Sequence, residues 1–289
     1  MISEEKIKTR FEEKLGNKIL KITSLSGGCI SDAYKITTKD NSNFLLKYNP
    51  SVSTDMFLKE ANGLMELSKS GTIRIPEVLG FDKDYILLEY ITTGHKKKNF
   101  FENFGMNFAK MHKFTAENFG FYEDNYIGSN TQKNIPNETE KKDWASFYFN
   151  KRILFQLQLA EKLGNSTEEL RSRISKLEEK ITTIISSNEK PSLLHGDLWG
   201  GNYMIDENGQ AVLIDPAVYY GNREADLGMT KLFGGFSSEF YSAYNQEFPL
   251  EDGYEYRENI YKLYHVLNHL NLFGGGYYSQ ALSLIKFYI

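Results

Sequence analysis

Cysteine occurs once in the 289 residues, as Cys29, so no disulfide can close within the chain and a reducing compartment is its natural setting. No apolar stretch is long enough to cross a bilayer, and no secretory or transit pattern is present, so the expected location is cytoplasmic, with no membrane partner. A basic surplus is missing as well: 34 Lys and Arg stand against 38 Asp and Glu, a net charge of −4 that leaves no electrostatic footprint for nucleic acid. The one basic run, Lys96-Lys97-Lys98, reads as a solvated loop. Internal repeats and low-complexity tracts are absent. What remains is an ordinary globular composition, long enough to bury roughly three-quarters of the surface it exposes unfolded, and the length suggests two lobes.

The predicted elements divide near residue 91. Before it come a short amphipathic helix ending over Thr9 to Leu15, strands at Ile19 to Leu25, Ala33 to Thr38 and Phe44 to Tyr48, and a helix from Thr54 to Ser68. That helix is expected to be capped by Thr54 or Ser53 and stopped near Gly71, and a second hairpin follows, Val78 to Phe81 with Tyr85 to Ile91. Beyond it the period changes to 3.6, at about 98–113, 140–162, 167–187 and again past 224. A short β-rich insert over 193–214 interrupts the helices, and 115–139 is polar and long enough to be a binding loop. The expected class is therefore α+β and bilobal: a small antiparallel β-sheet lobe with one main helix (1–91), and a larger, mainly helical lobe (92–289).

The densest chemistry lies in the insert. His195-Gly196-Asp197-Leu198-Trp199-Gly200-Gly201-Asn202 is followed, thirteen residues after Asn202, by Asp215 at the end of an apolar strand. Phosphoryl transfer needs a carboxylate to orient the attacking hydroxyl and take its proton, a role open to Asp197, and hard oxygen ligands for Mg²⁺, open to Asn202 and Asp215. His195 is expected to hold the loop by hydrogen bonds. In the first lobe, Ser26-Gly27-Gly28-Cys29-Ile30-Ser31 permits close approach of backbone N–H groups to ATP phosphates. Lys47 on a strand and Glu60 on the next helix follow the order in which kinases place the phosphate-binding Lys and its Glu partner. Leu87 to Ile91 stands where an adenine-binding hinge belongs, its backbone at Glu89 and Ile91 reading the base.

Three departures separate the chain from protein kinases. It has no full G-x-G-x-x-G, Gly196 stands where an Arg precedes the base, and Pro216-Ala217 follows Asp215 in place of Phe-Gly. Without that Arg, activation-loop phosphorylation has no evident receiver, which favours a small-molecule acceptor.

From about Ile22 to the end, the sequence resembles the fructosamine kinase (ketosamine 3-kinase) family, whose protein-kinase-like fold is related to aminoglycoside phosphotransferases and choline kinases. The likeness lies in the Ser26–Ser31 loop, Asn125-Tyr126-Ile127-Gly128 with Gln132 and Asn134, Trp144, and Leu194 through Trp199. It continues in Leu213 through Ala217, Tyr219-Tyr220-Gly221, Arg223 through Leu227, Leu232 through Phe236 and Leu267 through Gly274. The resemblance implies that Asp197 activates the sugar O3 hydroxyl of a ketosamine, that Asn202 and Asp215 hold Mg²⁺, and that Lys47 with Glu60 positions ATP. Ketosamine metabolites or glycated protein lysines are the implied partners, and deglycation the implied role. At Gly200 the family commonly carries a serine, which bears on substrate preference.

Four residue readings stay open at this level. Trp199 lies along the substrate or in the core. His265 and His269 are four apart on a helix with no Glu after His265, so a zinc-protease pattern fails, and the resemblance favours His269 as the one reaching the cleft. Glu224 and Asp226 are expected to pair with Arg223 and cap a helix. Cys29 is a packing residue or a redox site, the protein being a monomer or a dimer linked through it. The competing functions are a kinase for another hydroxyl compound, of aminoglycoside or choline type, and a nucleotide-binding pseudokinase acting as an adaptor.

Overall fold

The computed structural model describes residues 2–25, 31–53 and 55–289. The expected Gly27, Gly28 and Cys29 phosphate loop and the Thr54 cap lie outside them.

The first lobe is one sheet held between two helices. Helix α1 (Glu4–Leu15) is capped by Ser3, whose hydroxyl accepts from Lys6 N at 3.4 Å, and it ends on Gly16 in the left-handed region. Strands β1 (Ile19–Leu25), β2 (Asp32–Thr38), β3 (Asn43–Tyr48), β4 (Val78–Asp82) and β5 (Tyr85–Glu89) form an antiparallel sheet in the order β1-β2-β3-β5-β4. Helix α2 (Met56–Ser68) connects β3 to β4. The period-2 geometry of β5 explains the sandwich: Tyr85 and Leu87 join Ile7 and Phe11 of α1, while Ile86 and Leu88 join Phe57, Ala61 and Leu64 of α2. Helix α2 starts at Met56 behind Asp55, which makes no side-chain cap bond, so the expected Ser53 cap is not formed. Ser53 instead gives its carbonyl to Met56 N at 3.0 Å and its hydroxyl to Asp55 Oδ1 at 3.0 Å.

The second lobe is mainly helical. Helices α3 (Phe100–His112), α4 (Trp144–Tyr148), α5 (Phe155–Lys162) and α6 (Glu168–Ile185) precede the insert. Between α4 and α5 runs a π-helical turn, Phe149–Leu154, of the kind often found beside functional sites. The polar segment after α3 forms a hairpin, β6 (Asn125–Ile127) with β7 (Asn130–Gln132), whose Asn125, Gln132 and Asn134 are turned inward and buried. The segment expected as a binding loop thus contains a packed hairpin.

The insert is built from two pairs, β8 (Ser192–Leu194) with β11 (Tyr219–Gly221), and β9 (Tyr203–Ile205) with β10 (Ala211–Leu213). Helices α7 (Glu224–Thr230), α8 (Ser238–Glu247), α9 (Tyr254–Phe273) and α10 (Tyr277–Lys286) complete the lobe. Helix α9 is buried over most of its length from Ile260 onward and packs on α5, α7 and α10. The predicted α+β, bilobal architecture is borne out. No helix among the described residues is long and apolar enough to cross a membrane.

Candidate active site

The loop between β8 and β9 is fixed by bonds that begin with His195. Its ring Nε2 faces the Ile214 carbonyl at 3.0 Å and can only donate there, so Nδ1 is the acceptor for Asp197 N at 3.2 Å. Burial lowers the His195 pKa, which keeps the imidazole neutral and compatible with this tautomer. The His195 carbonyl in turn accepts from Ala217 N at 2.9 Å, tying the loop to the backbone after Asp215. Gly196, at φ +82°, explains one departure from the protein-kinase pattern: a Cβ there would stand 1.9 Å from the Ala217 carbonyl oxygen, so no side chain fits.

Asp197 and Asn202 converge as their spacing predicts. Asn202 Nδ2 donates to the Asp197 carboxylate Oδ2 at 3.0 Å and to its carbonyl at 2.8 Å, which fixes the carboxylate and turns the Asn202 amide oxygen outward from that pair. Burial raises the Asp197 pKa well above the ordinary carboxylate range. The Asn202 bond opposes the shift, and the charges of Asp215 and Asp226 add to it.

Asp215 joins the two lobes. Lys47 of β3 donates to Glu60 Oε1 of α2 at 2.7 Å and to Asp215 Oδ1, so one ammonium bridges both expected partners. Burial acts to lower the Lys47 pKa, but the Asp215 and Glu60 charges outweigh it and the net shift is upward. Burial likewise acts to raise Asp215, and Lys47 brings it below the usual range. Asp215 has φ +52°, a left-handed conformation that L side chains seldom adopt and that clusters at functional sites.

The hinge divides the two residues expected there. The Glu89 carboxylate accepts from Arg74 Nη2 at 2.5 Å and its N–H donates to the Glu77 carbonyl at 2.9 Å. Arg74 also reaches Asp206 at 2.9 Å and Glu207 at 3.3 Å, clamping the hinge to the β9–β10 hairpin. The Glu89 side chain and N–H are therefore both taken by partners within the protein. Ile91 is buried just beyond it.

An aromatic file leads away from the loop. Trp199 is 39% exposed and meets Phe233 edge-on at 6.1 Å, and Phe233 lies 4.8 Å from the His269 ring. His269 also touches Phe273 and Tyr277 and donates from Nδ1 to the His265 carbonyl at 2.8 Å. His265 itself is buried, its pKa brought down to about 3 chiefly by burial, and it does not meet His269 as a metal pair. Phe233 is a residue that the sequence reading missed. A bulky side chain at φ +53° and 49% exposed is unusual on both counts, and Leu232-Phe233-Gly234-Gly235-Phe236 was the available signal.

Two expectations are corrected. Arg223 pairs with Glu189 at 2.6 Å and lies 3.6 Å over the Phe248 ring, rather than pairing with Glu224 or Asp226. Glu224 instead takes Arg257 at 2.5 Å, and Asp226 accepts from His195 N at 2.7 Å and Gly196 N at 2.8 Å. Asp226 is thus the anchor beneath the His195–Asn202 loop. His112 Nε2 lies 3.3 Å from the same carboxylate and Tyr244 OH 2.7 Å from its Nδ1.

The chain is similar to known proteins over nearly its whole length. The family model for fructosamine kinase matches residues 3–289. The chain belongs to the fructosamine kinase family. A chloroplastic protein-ribulosamine 3-kinase of Arabidopsis thaliana is 41% identical over 287 residues, covering 96% of this chain and 85% of the relative. A probable ketoamine kinase of Enterococcus faecium is 38% identical over 278 residues, covering 94% of this chain and 96% of the relative. The crystal structure of a candidate fructosamine-3-kinase from Thermobifida fusca superposes with a TM-score of 0.90 at 29% identity, over 99% of both chains. A choline kinase from Streptococcus pneumoniae, 16% identical with a TM-score of 0.63 over 99% of both chains, shares the fold alone. As a member of this kinase family the chain is an ATP-using phosphotransferase with a hydroxyl acceptor.

Proposed function

We propose that this fructosamine kinase family member transfers the γ-phosphoryl group of ATP to the O3 hydroxyl of the sugar part of a ketosamine, carried on a small amine or a protein lysine. The product, a ketosamine 3-phosphate, then decomposes to release the free amine, which makes the reaction a deglycation step. The observation that carries this reading is the assembled set Lys47, Glu60, Asp215, Asn202 and Asp197, bonded across two lobes. A nucleotide-binding adaptor needs no fixed base, which weighs against the pseudokinase alternative.

Asp197 orients the acceptor hydroxyl and takes its proton, and its raised pKa makes it a stronger base than a solvated carboxylate. Lys47, held by Glu60, pairs with the ATP phosphates, and the backbone at Ile91 reads the base beside the occupied Glu89. Gly27 and Gly28 retain their expected role over the phosphates. The residues present fit Mg²⁺: Asn202 and Asp215 supply hard oxygen donors, and the Asp215 carboxylate already takes a cation, Lys47. No cluster of three or more His, Cys, Asp or Glu that could hold a metal by itself occurs among the described residues. Mg²⁺ commonly takes only one or two protein ligands beside phosphates and water. When bound, Mg²⁺ neutralises charge developing on the transferred phosphoryl group.

Trp199, Phe233 and His269 form the wall against which the amine-bearing part of the substrate lies. Trp199→Ala and Phe233→Ala are each expected to raise the KM for Nε-fructosyl-lysine about fivefold to tenfold and to leave the KM for ATP within about twofold. An equal rise in both constants would remove these rings from the acceptor site.

The function itself is tested by ³¹P NMR of the purified protein with ATP, Mg²⁺ and Nε-ribulosyl-lysine or Nε-fructosyl-lysine. A new sugar-phosphate signal is expected, absent with Asp197→Ala. ATP binding without any phosphorylated ketosamine would transfer the assignment to another hydroxyl acceptor or to the adaptor.

A further inference from the structure

Helix α2 carries a polar stripe that the nucleotide site does not use. Asp55, Lys59, Asn62 and Glu66 follow one another at i, i+4, i+7 and i+11, one face of a helix, and each meets the second lobe. Lys59 Nζ donates to Glu123 Oε2 at 2.7 Å and Asn62 Nδ2 donates to Glu123 Oε1 at 2.9 Å. Tyr126 OH donates to Asp55 Oδ1 at 2.6 Å, and Tyr220 OH to Glu66 Oε1 at 2.8 Å. Lys59 and Glu123 are only 17% and 14% exposed, so the pair is shielded from the screening that weakens surface ion pairs. Glu60, one residue from Lys59, points to Lys47 from the adjoining face.

The segment that grips α2 also grips the backbone behind Asp215. Gln132 Nε2 donates to the Ala217 carbonyl at 2.8 Å and Asn125 Nδ2 to the Val218 carbonyl at 2.8 Å. A Cβ on Gly63, in the middle of the stripe, would lie 3.3 Å from the Pro216 ring, so the helix and the segment after Asp215 are already in close approach. One packed element thus sets the position of Glu60 and of Asp215 together.

We infer that Glu123 and Tyr126 are positioning residues, a clasp that locks α2 in the orientation where Glu60 meets Lys47, so that the ATP-binding pair is assembled before any ligand arrives. The inference rests on the proposed role of Lys47 and Glu60 toward ATP. It matches the expectation from sequence that an activation-loop phosphate has no receiver: the clasp would fix by side chains of the second lobe the helix that such switches move.

The test is a double-mutant cycle on the full chain, reading ATP and ketosamine KM values together with the melting temperature. Glu123→Ala is expected to raise the KM for ATP about fivefold to tenfold while the ketosamine KM stays within about twofold. In a Glu60→Ala background, Glu123→Ala should add little, because the clasp acts through Glu60. The charge swap Lys59→Glu with Glu123→Lys should recover most of the ATP affinity. Should Glu123→Ala fail to fold, Tyr126→Phe, which removes one hydroxyl, carries the same comparison. An unchanged ATP KM in the folded clasp variants, or full additivity with Glu60→Ala, overturns the clasp and leaves the nucleotide site standing. If Glu60→Ala itself leaves ATP KM unchanged, the nucleotide-site reading falls and the clasp falls with it.

Discussion

Asp197→Asn is expected to lower turnover about a thousandfold while ATP affinity stays within about threefold, because positioned proton transfer carries roughly that factor. The substitution keeps the size of the side chain and its contact with Asn202, which donates to Asp197 Oδ2 at 3.0 Å, and removes only the ability to take a proton. The pH profile follows from the same group. Burial raises the Asp197 carboxyl above its ordinary range, so the acid limb of turnover should lie above that of a solvated aspartate. The sign for stability is the opposite of that for activity. A folded-state pKa raised above the unfolded one means that the ionised form costs stability at neutral pH, and that the cost disappears once the pH falls below the unfolded carboxylate range near about 4. Asp197→Asn should therefore melt higher than the parent at neutral pH, with the gain shrinking as the solution is acidified. Calorimetry across that range, beside single-turnover kinetics, checks both halves. A variant that melts lower at neutral pH, or that retains more than about a tenth of the activity, removes Asp197 from the role of a strained base.

The legible part of the fold was the part written in local periodicity. Tyr85 through Leu88 alternate between two helices, and that alternation, with the turn at Asp82-Lys83-Asp84, is enough to mark the strand. The His195 to Asn202 loop and Asp215 were legible because a loop and a hairpin fix their spacing. Contacts between distant segments left no such trace. Glu89 looked like a hinge residue, and only folding brings Arg74 to its carboxylate and, through Arg74, ties it to the β9–β10 hairpin. The polar 115–139 segment read as a binding loop without elements of its own because its Asn and Gln side chains are polar. They are buried because each satisfies a backbone carbonyl or another amide, as Gln132 does at Ala217. The stripe Asp55, Lys59, Asn62 and Glu66 was visible in sequence as a helical period of polar residues. Solvation is the usual reason for such a period, and nothing in the helix itself reveals the partner at Glu123.

Asp226 is the instructive miss, and its substitution has the largest expected effect on folding. The sequence offered Arg223 three residues away as its partner. The structure gives its two oxygens to His195 N and Gly196 N, thirty-one and thirty residues back, and to His112 Nε2 from α3. The carboxylate can only accept, so His112 must carry its proton on Nε2. Burial lowers the His112 pKa and leaves it neutral, with Nδ1 accepting from Tyr244 OH. Burial alone would raise Asp226, but the His112 bond and the backbone N–H groups bring it below the usual carboxylate range. Its stabilising contribution is therefore full above the unfolded carboxylate range and is lost only as pH falls through the lower folded value. Asp226→Asn puts an amide N–H against backbone N–H groups and leaves at least one buried donor unpaired, a cost of about 2–4 kcal/mol. For a chain of this size that lowers the melting temperature by roughly 5–10 °C. Turnover should fall further than the folded fraction accounts for, since the freed donors belong to the two residues immediately before Asp197. A melting temperature within about 2 °C of the parent would mean that His195 and Gly196 are held by the Ile214 and Ala217 contacts alone.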